Sequence, residues 1–422
     1  MLQELAVFMP TGSPNLKTPA QFLPQQYSAE SENAEFKDEL LQNRKGVKKW
    51  HDTALSGAVL LLERCVYPNA DEYLIAITTK DIYYWDSGNE VFKYLTPIYN
   101  TGTVTVTNGS KIITGTGVWK TGDNTKAGDY FRLGGLNDAT PVWYEIDTVD
   151  TDPQITLKVA YAGADAAGEA YTIRKIFTGT RTDYWRFAKF PDSALGTVYA
   201  FTNGVDHLIY WDGDITNLAV SVAAAPVGRY IGVLKGHIIL GWITNYPDMI
   251  FWCDNFDITT WTASNYLQMP EVPGEITGFS PLGDWLMIFR DGAHGILNYI
   301  GGQNVYEHEY LMKNLGTKSP SSIVSTNQGV KWLGDDFRFH LYTGSKYELL
   351  ANELSPILDN LDPSKLDYVV SNYYPTKNQV RWLCLTVNPM ITVGLLSIIY
   401  FTARGISGIM LMTIYFVPSE NI

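Results

Sequence analysis

Residues 206–214 read Asp206-His207-Leu208-Ile209-Tyr210-Trp211-Asp212-Gly213-Asp214 and are the most informative part of the sequence for the fold. An alternating apolar run ends in Tyr-Trp, and an acidic turn with a glycine follows directly. Similar stretches occur at residues 81–88 (DIYYWDSG) and 338–345 (RFHLYTGS). Aromatic and β-branched residues favour strands, and Asp-Gly or Asp-Ser-Gly provides the positive φ angles of a tight hairpin turn. Three copies of one hairpin ending predict a repeated all-β unit.

Short apolar strands separated by polar turns continue on both sides of this stretch. Residues 57–94 contain four of them, which is the size of one propeller blade, and further units start near residues 197, 230, 275, 322 and 368. A closed ring of such units leaves no long exposed sheet edge. We therefore predict an all-β fold, a five- or six-bladed β-propeller formed by residues 51–102 and 175–386, after an N-terminal arm at residues 1–50.

Residues 103–174 differ from the flanking segments in composition and in the spacing of their strand-like runs. A Thr/Val-rich hairpin turns at Asn108-Gly109, and five further short strand-like runs follow before Arg174. Because this segment lies between two blade-like units and has its own all-β pattern, we predict an inserted module that resembles a small β-barrel or sandwich.

Residues 387–422 form an apolar C-terminal segment that lacks the alternation of the earlier strands. One interpretation is a pair of buried strands that closes the propeller. A second is a membrane-spanning or lytic helix, whose length would suffice although Gly394, Arg404, Gly405 and Gly408 interrupt it. A third is an atypical end, such as a shifted reading frame. The sequence leaves all three open.

The composition limits the classes of function. The chain has 422 residues, and 31 Lys and Arg against 44 Asp and Glu give a formal net charge of −13. Because phosphate binding depends on Lys and Arg, so acidic a chain is not expected to grip nucleic acid. Cys65, Cys253 and Cys384 lie far apart without metal-binding spacing, which predicts buried free thiols. The first ten residues lack a secretory pattern, which predicts synthesis in the cytoplasm.

The sequence contains no pattern that predicts catalysis. The six histidines occur singly, and neither a Gly-x-Ser-x-Gly elbow nor a phosphate-binding loop is present. We therefore expect no enzyme, no metal site and no cofactor. A set of tryptophans at strand ends fits two interpretations, a sugar-stacking surface or packing between sheets. Its members are Trp85, Trp185, Trp211, Trp252, Trp285, Trp332 and Trp382.

Several segments resemble the propeller proteins of phage tails. They are residues 15–24 (NLKTPAQFLP), 46–49 (GVKK), 278–289 (GFSPLGDWLMIF) and 314–324 (NLGTKSPSSIV). The inserted segment, from residues 114–117 (TGTG) to 171–173 (YTI), is similar to small β modules of tail proteins. The resemblance extends from about residue 15 to 385 and fails after Thr386, where those proteins continue with alternating polar and aromatic strands.

The resemblance implies a virion structural protein, located in the phage tail. Such propellers form the nozzle or the DNA-retaining hub of short-tailed phages, as a homo-oligomeric ring for which six copies are the expectation. Implied partners are an adaptor, a tail fibre or needle, the genomic DNA in transient contact during ejection, and the host envelope. We expect the arm and the module to contact neighbouring proteins through Lys45, Lys48, Lys49, Trp119 and Trp143. The alternative is a glycan-binding or glycosidase-type propeller that acts on the host surface.

Overall fold

A computed structural model describes most of the chain. The described residues are 17–24, 34–37, 40–43, 51–138, 142–302, 304–350, 352–375, 379–386, 395–402 and 405–413. Their regular secondary structure consists almost entirely of strands in antiparallel sheets, which confirms the predicted all-β class. The helices in these ranges are short, and all are 3-10 helices except the α-helix Ser355–Leu358. The 3-10 turns are Ala20–Phe22, Thr121–Asp123, Pro320–Ser322, Asn352–Leu354 and Pro363–Tyr368. In these ranges no helix is long and apolar enough to cross a membrane.

Six of the sheets contain four strands each, in simple up-and-down order. A separate two-stranded hairpin precedes them, formed by β1 (Ala34–Lys37) and β2 (Leu40–Asn43). Sheet I contains β3 (Val59–Val66), β4 (Glu72–Thr78), β5 (Ile82–Asp86) and β6 (Val91–Tyr94).

The next sheet is the module. It is eight-stranded, and its order is β13-β8-β9-β12-β11-β10-β14-β7. Its strands are β7 (Ile98–Tyr99), β8 (Val104–Val106), β9 (Ile112–Gly115), β10 (Tyr130–Leu133), β11 (Tyr144–Thr151), β12 (Gln154–Leu157), β13 (Ala166–Glu169) and β14 (Tyr171–Arg174). Bulges in β11 bend the sheet so that it encloses a core around Trp119, Phe131 and Tyr171. Residues 104–174 thus share one sheet and one core, and β7 joins them from just before the predicted boundary.

Five further four-stranded sheets follow along the chain. Sheet II contains β15 (Arg186–Asp192), β16 (Gly196–Thr202), β17 (Ile209–Trp211) and β18 (Val220–Ser221). Sheet III contains β19 (Gly228–Leu234), β20 (His237–Ile243), β21 (Tyr246–Trp252) and β22 (Tyr266–Gln268). Sheet IV contains β23 (Ile276–Leu282), β24 (Trp285–Arg290), β25 (Ala293–Tyr299) and β26 (Tyr306–Met312).

The last two sheets complete the series. Sheet V contains β27 (Val324–Thr326), β28 (Gly329–Leu333), β29 (Phe339–Tyr342) and β30 (Tyr347–Leu350), and sheet VI contains β31 (Val370–Tyr374), β32 (Gln379–Thr386), β33 (Leu395–Thr402) and β34 (Gly405–Thr413). The strands β33 and β34 extend β32 by antiparallel pairing. The apolar segment therefore contributes two strands to sheet VI, whereas closure of a ring by them stays a prediction.

The chain forms two compact units, one of residues 1–51, 245–250 and 267–422 and the other of residues 52–244 and 251–266. In the second unit, a core between sheets I and II contains Ile77, Phe201 and Trp211, and the first strands β15 and β19 lie side by side. In the first unit, sheets IV and V share a core around Phe289 and Trp332, and the first strands β23, β27 and β31 adjoin in turn. Apolar layers between consecutive sheets thus hold each unit together.

The predicted tryptophan set lies mostly in these layers. Five of its members are buried, namely Trp185, Trp211, Trp252, Trp332 and Trp382. Trp85 is half-buried, and Trp285 differs most, because 38% of its surface is exposed. Packing between sheets therefore accounts for most of the set, and Trp285 is left as a surface ring. The cysteines are also buried, and all three are free thiols.

Candidate functional site

A groove of about 500 Å³ lies between two turns of neighbouring sheets in the second unit. One wall is the turn from β3 to β4, and the other is the turn that follows β17. The lining residues are Tyr67, Pro68, Asn69, Asp71, Tyr73, Leu195, Thr197, Asp212, Gly213, Asp214 and Ile215. The lining contains three carboxylates and no basic side chain, so this groove, called groove A below, is acidic.

The first wall is a tight turn. The Tyr67 N–H donates to the Asp71 carbonyl at 2.9 Å, and Ala70 adopts φ 68°, which closes the turn. The Asn69 amide donates to Asp71 Oδ2 at 2.6 Å and so orients that carboxylate. Tyr73 leaves the turn half-buried, at the start of β4.

The second wall contains the C-terminal end of residues 206–214. The Asp214 N–H donates to Asp212 Oδ1 at 3.0 Å, and the Asn217 amide donates to Asp212 Oδ2 at 2.7 Å. The Thr216 hydroxyl donates to Asp214 Oδ1 at 2.7 Å. The Thr216 N–H donates to the same oxygen, and this bond first, then the hydroxyl bond, keeps the pKa of Asp214 below its usual value. The turn thus holds both carboxylates in fixed directions.

Gly213 brings the two walls together. Its φ is 85°, and a Cβ at this position would lie 2.6 Å from the Tyr67 ring. The Tyr67 ring is edge-on to Trp211, with centroids 5.9 Å apart, and its hydroxyl donates to the Trp211 carbonyl at 3.3 Å. Burial raises the pKa of Tyr67, so this phenol stays neutral. Only a glycine allows the turn to approach the ring this closely.

A second groove, groove B, has the same place relative to its own sheets in the first unit. It measures about 340 Å³ and is lined by Leu282, Gly283, Asp284, Trp285, Thr343 and Gly344. In both grooves, the turn between strands one and two of one sheet faces the turn after strand three of the next sheet. In both, the latter turn carries a positive-φ glycine beside an aromatic ring. A Cβ on Gly344, at φ 97°, would lie 3.8 Å from the Trp285 ring.

The module is fastened to sheet I by a buried ion pair. Arg174 Nε lies 2.9 Å from Asp81 Oδ1, and both side chains are almost completely buried. Neither Nε nor Nη1 of Arg174 makes a hydrogen bond, so coulombic attraction and ring contacts contribute much of the stabilisation of the cation. Its guanidinium lies 4.4 Å from the Tyr94 centroid and 4.5 Å from that of Trp143. Burial raises the pKa of Asp81, and the charge of Arg174 opposes that effect.

The predicted contact residues lie in different places. Trp119 is fully buried, and its indole N–H donates to the Tyr171 hydroxyl at 2.8 Å inside the module core. Because the Trp119 side chain is fully buried, it is not accessible to a neighbouring protein. Trp143 covers the guanidinium groups of Arg132 and Arg174 at the junction with sheet I. Lys45, Lys48 and Lys49 lie outside the described residues.

Sequence reasoning did not identify the grooves or the role of Asp81. The glycine-rich segment before Trp119 did indicate that this ring is closely packed. A Cβ on Gly117 would lie 2.5 Å from the Trp119 indole nitrogen. Paired glycines just before a large ring indicate close packing of that ring. Among the described residues, no group of three His, Cys, Asp or Glu side chains is arranged to hold a metal ion.

No protein-family model matches the chain, and no curated protein matches it. Among solved structures, the chain is similar to the phage phi92 endosialidase, with 11% identity and a TM-score of 0.22, over 78% of this chain and 53% of that one. It is also similar to a chain in the crystal structure of BBS1N in complex with ARL6DN, soaked with lead. That match has 11% identity and a TM-score of 0.23, over 67% of this chain and 91% of that one. The chain spans about half of the endosialidase, and similarities this low carry no conclusion about function.

Proposed function

We propose that the chain is a structural protein of a phage tail and that its six four-stranded sheets are the blades of a β-propeller. The observation that supports the proposal is the repeat itself. Six up-and-down sheets recur along the chain, interrupted once by the module. Within the units, the first strands β15 and β19 adjoin, as do β23, β27 and β31, and apolar cores lie between neighbouring sheets. A radial stack of sheets meets these conditions and protects the sheet edges.

The proposed role is mechanical. Several copies would form a ring that retains the genome in a nozzle or hub and lets DNA leave through its channel. Buried aromatic layers and the Asp81–Arg174 pair make each copy stiff, because close-packed interiors deform little. The net charge of −13 would keep phosphates from adhering to the channel wall. The arm, through its basic cluster at residues 44–49, and the module would contact neighbouring copies and an adaptor, fibre or needle protein.

Electron microscopy of the purified full chain, with light scattering for its mass, tests the proposal. We expect a symmetric particle with a central channel, in which each copy is a disc of radiating sheets. A monomer at micromolar concentration that shows no ring would contradict the assembly, and an elongated sandwich would contradict the propeller.

Charge reversal in the arm tests how the ring forms. Lys45→Glu, Lys48→Glu and Lys49→Glu together should dissociate the particle and leave the circular dichroism spectrum unchanged. The matched control makes the same change in charge at Lys235, Lys318 and Lys365, which are exposed and lie outside both the arm and the module. If both triple variants keep the ring, the arm has no part in assembly.

A further inference from the structure

We propose that grooves A and B bind neutral saccharides. The proposal does not depend on the assembly of several copies into a ring, since each groove is formed by residues of one chain. Their volumes of about 500 Å³ and 340 Å³ fall within the usual range for small-ligand sites.

The first argument is the repetition of the two grooves. They lie in different units, yet each combines the same two turns, a positive-φ glycine, an aromatic ring and at least one aspartate. Hairpin turns can be built from many residues, so the turns alone do not require a ring and a carboxylate in both places. The shared chemistry therefore points to a shared ligand.

The second argument is that the grooves offer an apolar face next to hydrogen-bond acceptors. Trp285 exposes 38% of its surface in groove B, where Asp284 precedes it. In groove A, Tyr73 is half-buried, and Leu195 and Ile215 form an exposed apolar rim, 38% and 54% exposed. A sugar ring has an apolar C–H face that stacks on such surfaces and hydroxyls that donate to carboxylates.

The third argument is that part of the acceptor capacity of groove A is unused. The turns hold one oxygen of each carboxylate at Asp71 and Asp214. Within the described part of the chain, no side chain or backbone N–H donates to Asp71 Oδ1 or to Asp214 Oδ2. Because the turns already fix these two side chains, vicinal hydroxyls of a sugar can donate to the oxygens without a further loss of side-chain entropy.

The charge of groove A selects among saccharides. Its lining contains Asp71, Asp212 and Asp214 and no Lys, Arg or His. The carboxylates of groove A would repel sialylated, sulfated and uronic acid glycans, which are anionic, both during their approach and when they are bound. The groove should therefore take neutral sugars and reject anionic ones. A basic peptide would also suit the charge, and the experiment includes it as a competing occupant.

The test is a glycan array of neutral and anionic saccharides probed with the full chain, followed by calorimetry with the best neutral glycan. We expect retention on neutral glycans alone. Asp71→Asn with Asp214→Asn, which keeps the turn oxygens, should weaken binding in groove A about tenfold, as expected for hydrogen bonds to a charged acceptor. Trp285→Ala should weaken groove B about fivefold through lost stacking.

The control variant is Tyr246→Ala, which removes an exposed ring that lies in neither groove and should change nothing. A peptide of residues 44–50 (RKGVKKW) is titrated in parallel. The proposal is overturned if no glycan binds, if only anionic glycans bind, if the peptide alone binds, or if the groove variants bind neutral glycans as tightly as Tyr246→Ala. Circular dichroism of each variant separates lost binding from lost folding.

Discussion

Gly213 is a single residue on which the packing of two turns depends. Its positive φ costs little for glycine but about 1 kcal/mol for alanine. An added Cβ would also meet the Tyr67 ring at 2.6 Å, so Gly213→Ala should displace this ring or the turn. We expect Gly213→Ala to lower the free energy of unfolding by about 2–3 kcal/mol, measured by urea denaturation.

Gly196 provides the control, because it has a similar φ of 75° and no atom within 4 Å of its Cβ position. Gly196→Ala should therefore lose only the backbone contribution. Equal losses in the two variants would show that the contact with Tyr67 has no energetic weight.

His294 makes the stability of the protein depend on pH. It is fully buried, and its ring nitrogens lie 2.7 Å from the Leu315 carbonyl and 2.7 Å from the Tyr347 hydroxyl. Burial lowers its pKa from 6.5 to about 4, so the folded protein binds this proton less readily than the unfolded chain. Its contribution to stability is therefore complete above the unfolded pKa of about 6.5 and is lost as the pH falls toward 4, by about 3 kcal/mol in total.

Urea denaturation at pH 7.5 and pH 4.5 measures this effect. His294→Gln should reduce the difference in unfolding free energy between the two pH values by about 2 kcal/mol. The control is His207→Gln, since His207 is exposed. An identical pH difference in wild type and His294→Gln would contradict the assignment.

At the level of elements, the hairpin endings were the most informative part of the sequence. Residues 81–88, 206–214 and 338–345 all prove to be the third strand of a sheet with the turn that follows it. Several other strands were not predicted. β15 contains Lys189 and Pro191, and β18 has only two residues, so neither shows the apolar alternation on which single-sequence prediction depends. Pairing with a neighbouring strand decides such segments.

The module should be separable from sheet I. The chain enters the module after Pro97 and leaves it at Lys175, whose N–H donates to the Pro97 carbonyl at 2.9 Å. Deletion of residues 103–174 should therefore leave a folded β protein by circular dichroism. The deletion also removes Arg174 and leaves Asp81 buried without its cation, at a cost of about 3–5 kcal/mol.

We expect Asp81→Asn to recover much of this loss when it is combined with the deletion. In the full chain the same substitution should instead destabilise the protein, because it leaves Arg174 without its anion. A deletion protein that is wholly unfolded with and without Asp81→Asn would show that the module is not an independent insert.

At the scale of the whole molecule, the acidic balance predicts weak contact with nucleic acid. With a formal net charge of −13, the purified chain should not shift a short DNA duplex in a gel at about 150 mM salt. Binding that weakens steeply as salt increases would reveal a basic surface and contradict the proposed non-adhesive channel wall.

The grooves could not have been predicted from the sequence. Tyr67 and Gly213 are separated by three strands of sheet I, the whole module and three strands of sheet II, and only the packing of sheet I on sheet II brings them into contact. The residue types of each turn were visible, and so was the repeat. The packing of entire sheets decides which two turns face each other, and no local sequence pattern encodes that pairing.

The adjacent points at which the chain enters and leaves the module have a practical consequence. Any compact domain whose own termini lie a few ångströms apart could be grafted between Pro97 and Lys175 without stretching the host. A fluorescent reporter or an epitope tag placed in this socket would label each copy at a defined internal position, and would leave both ends of the polypeptide untouched.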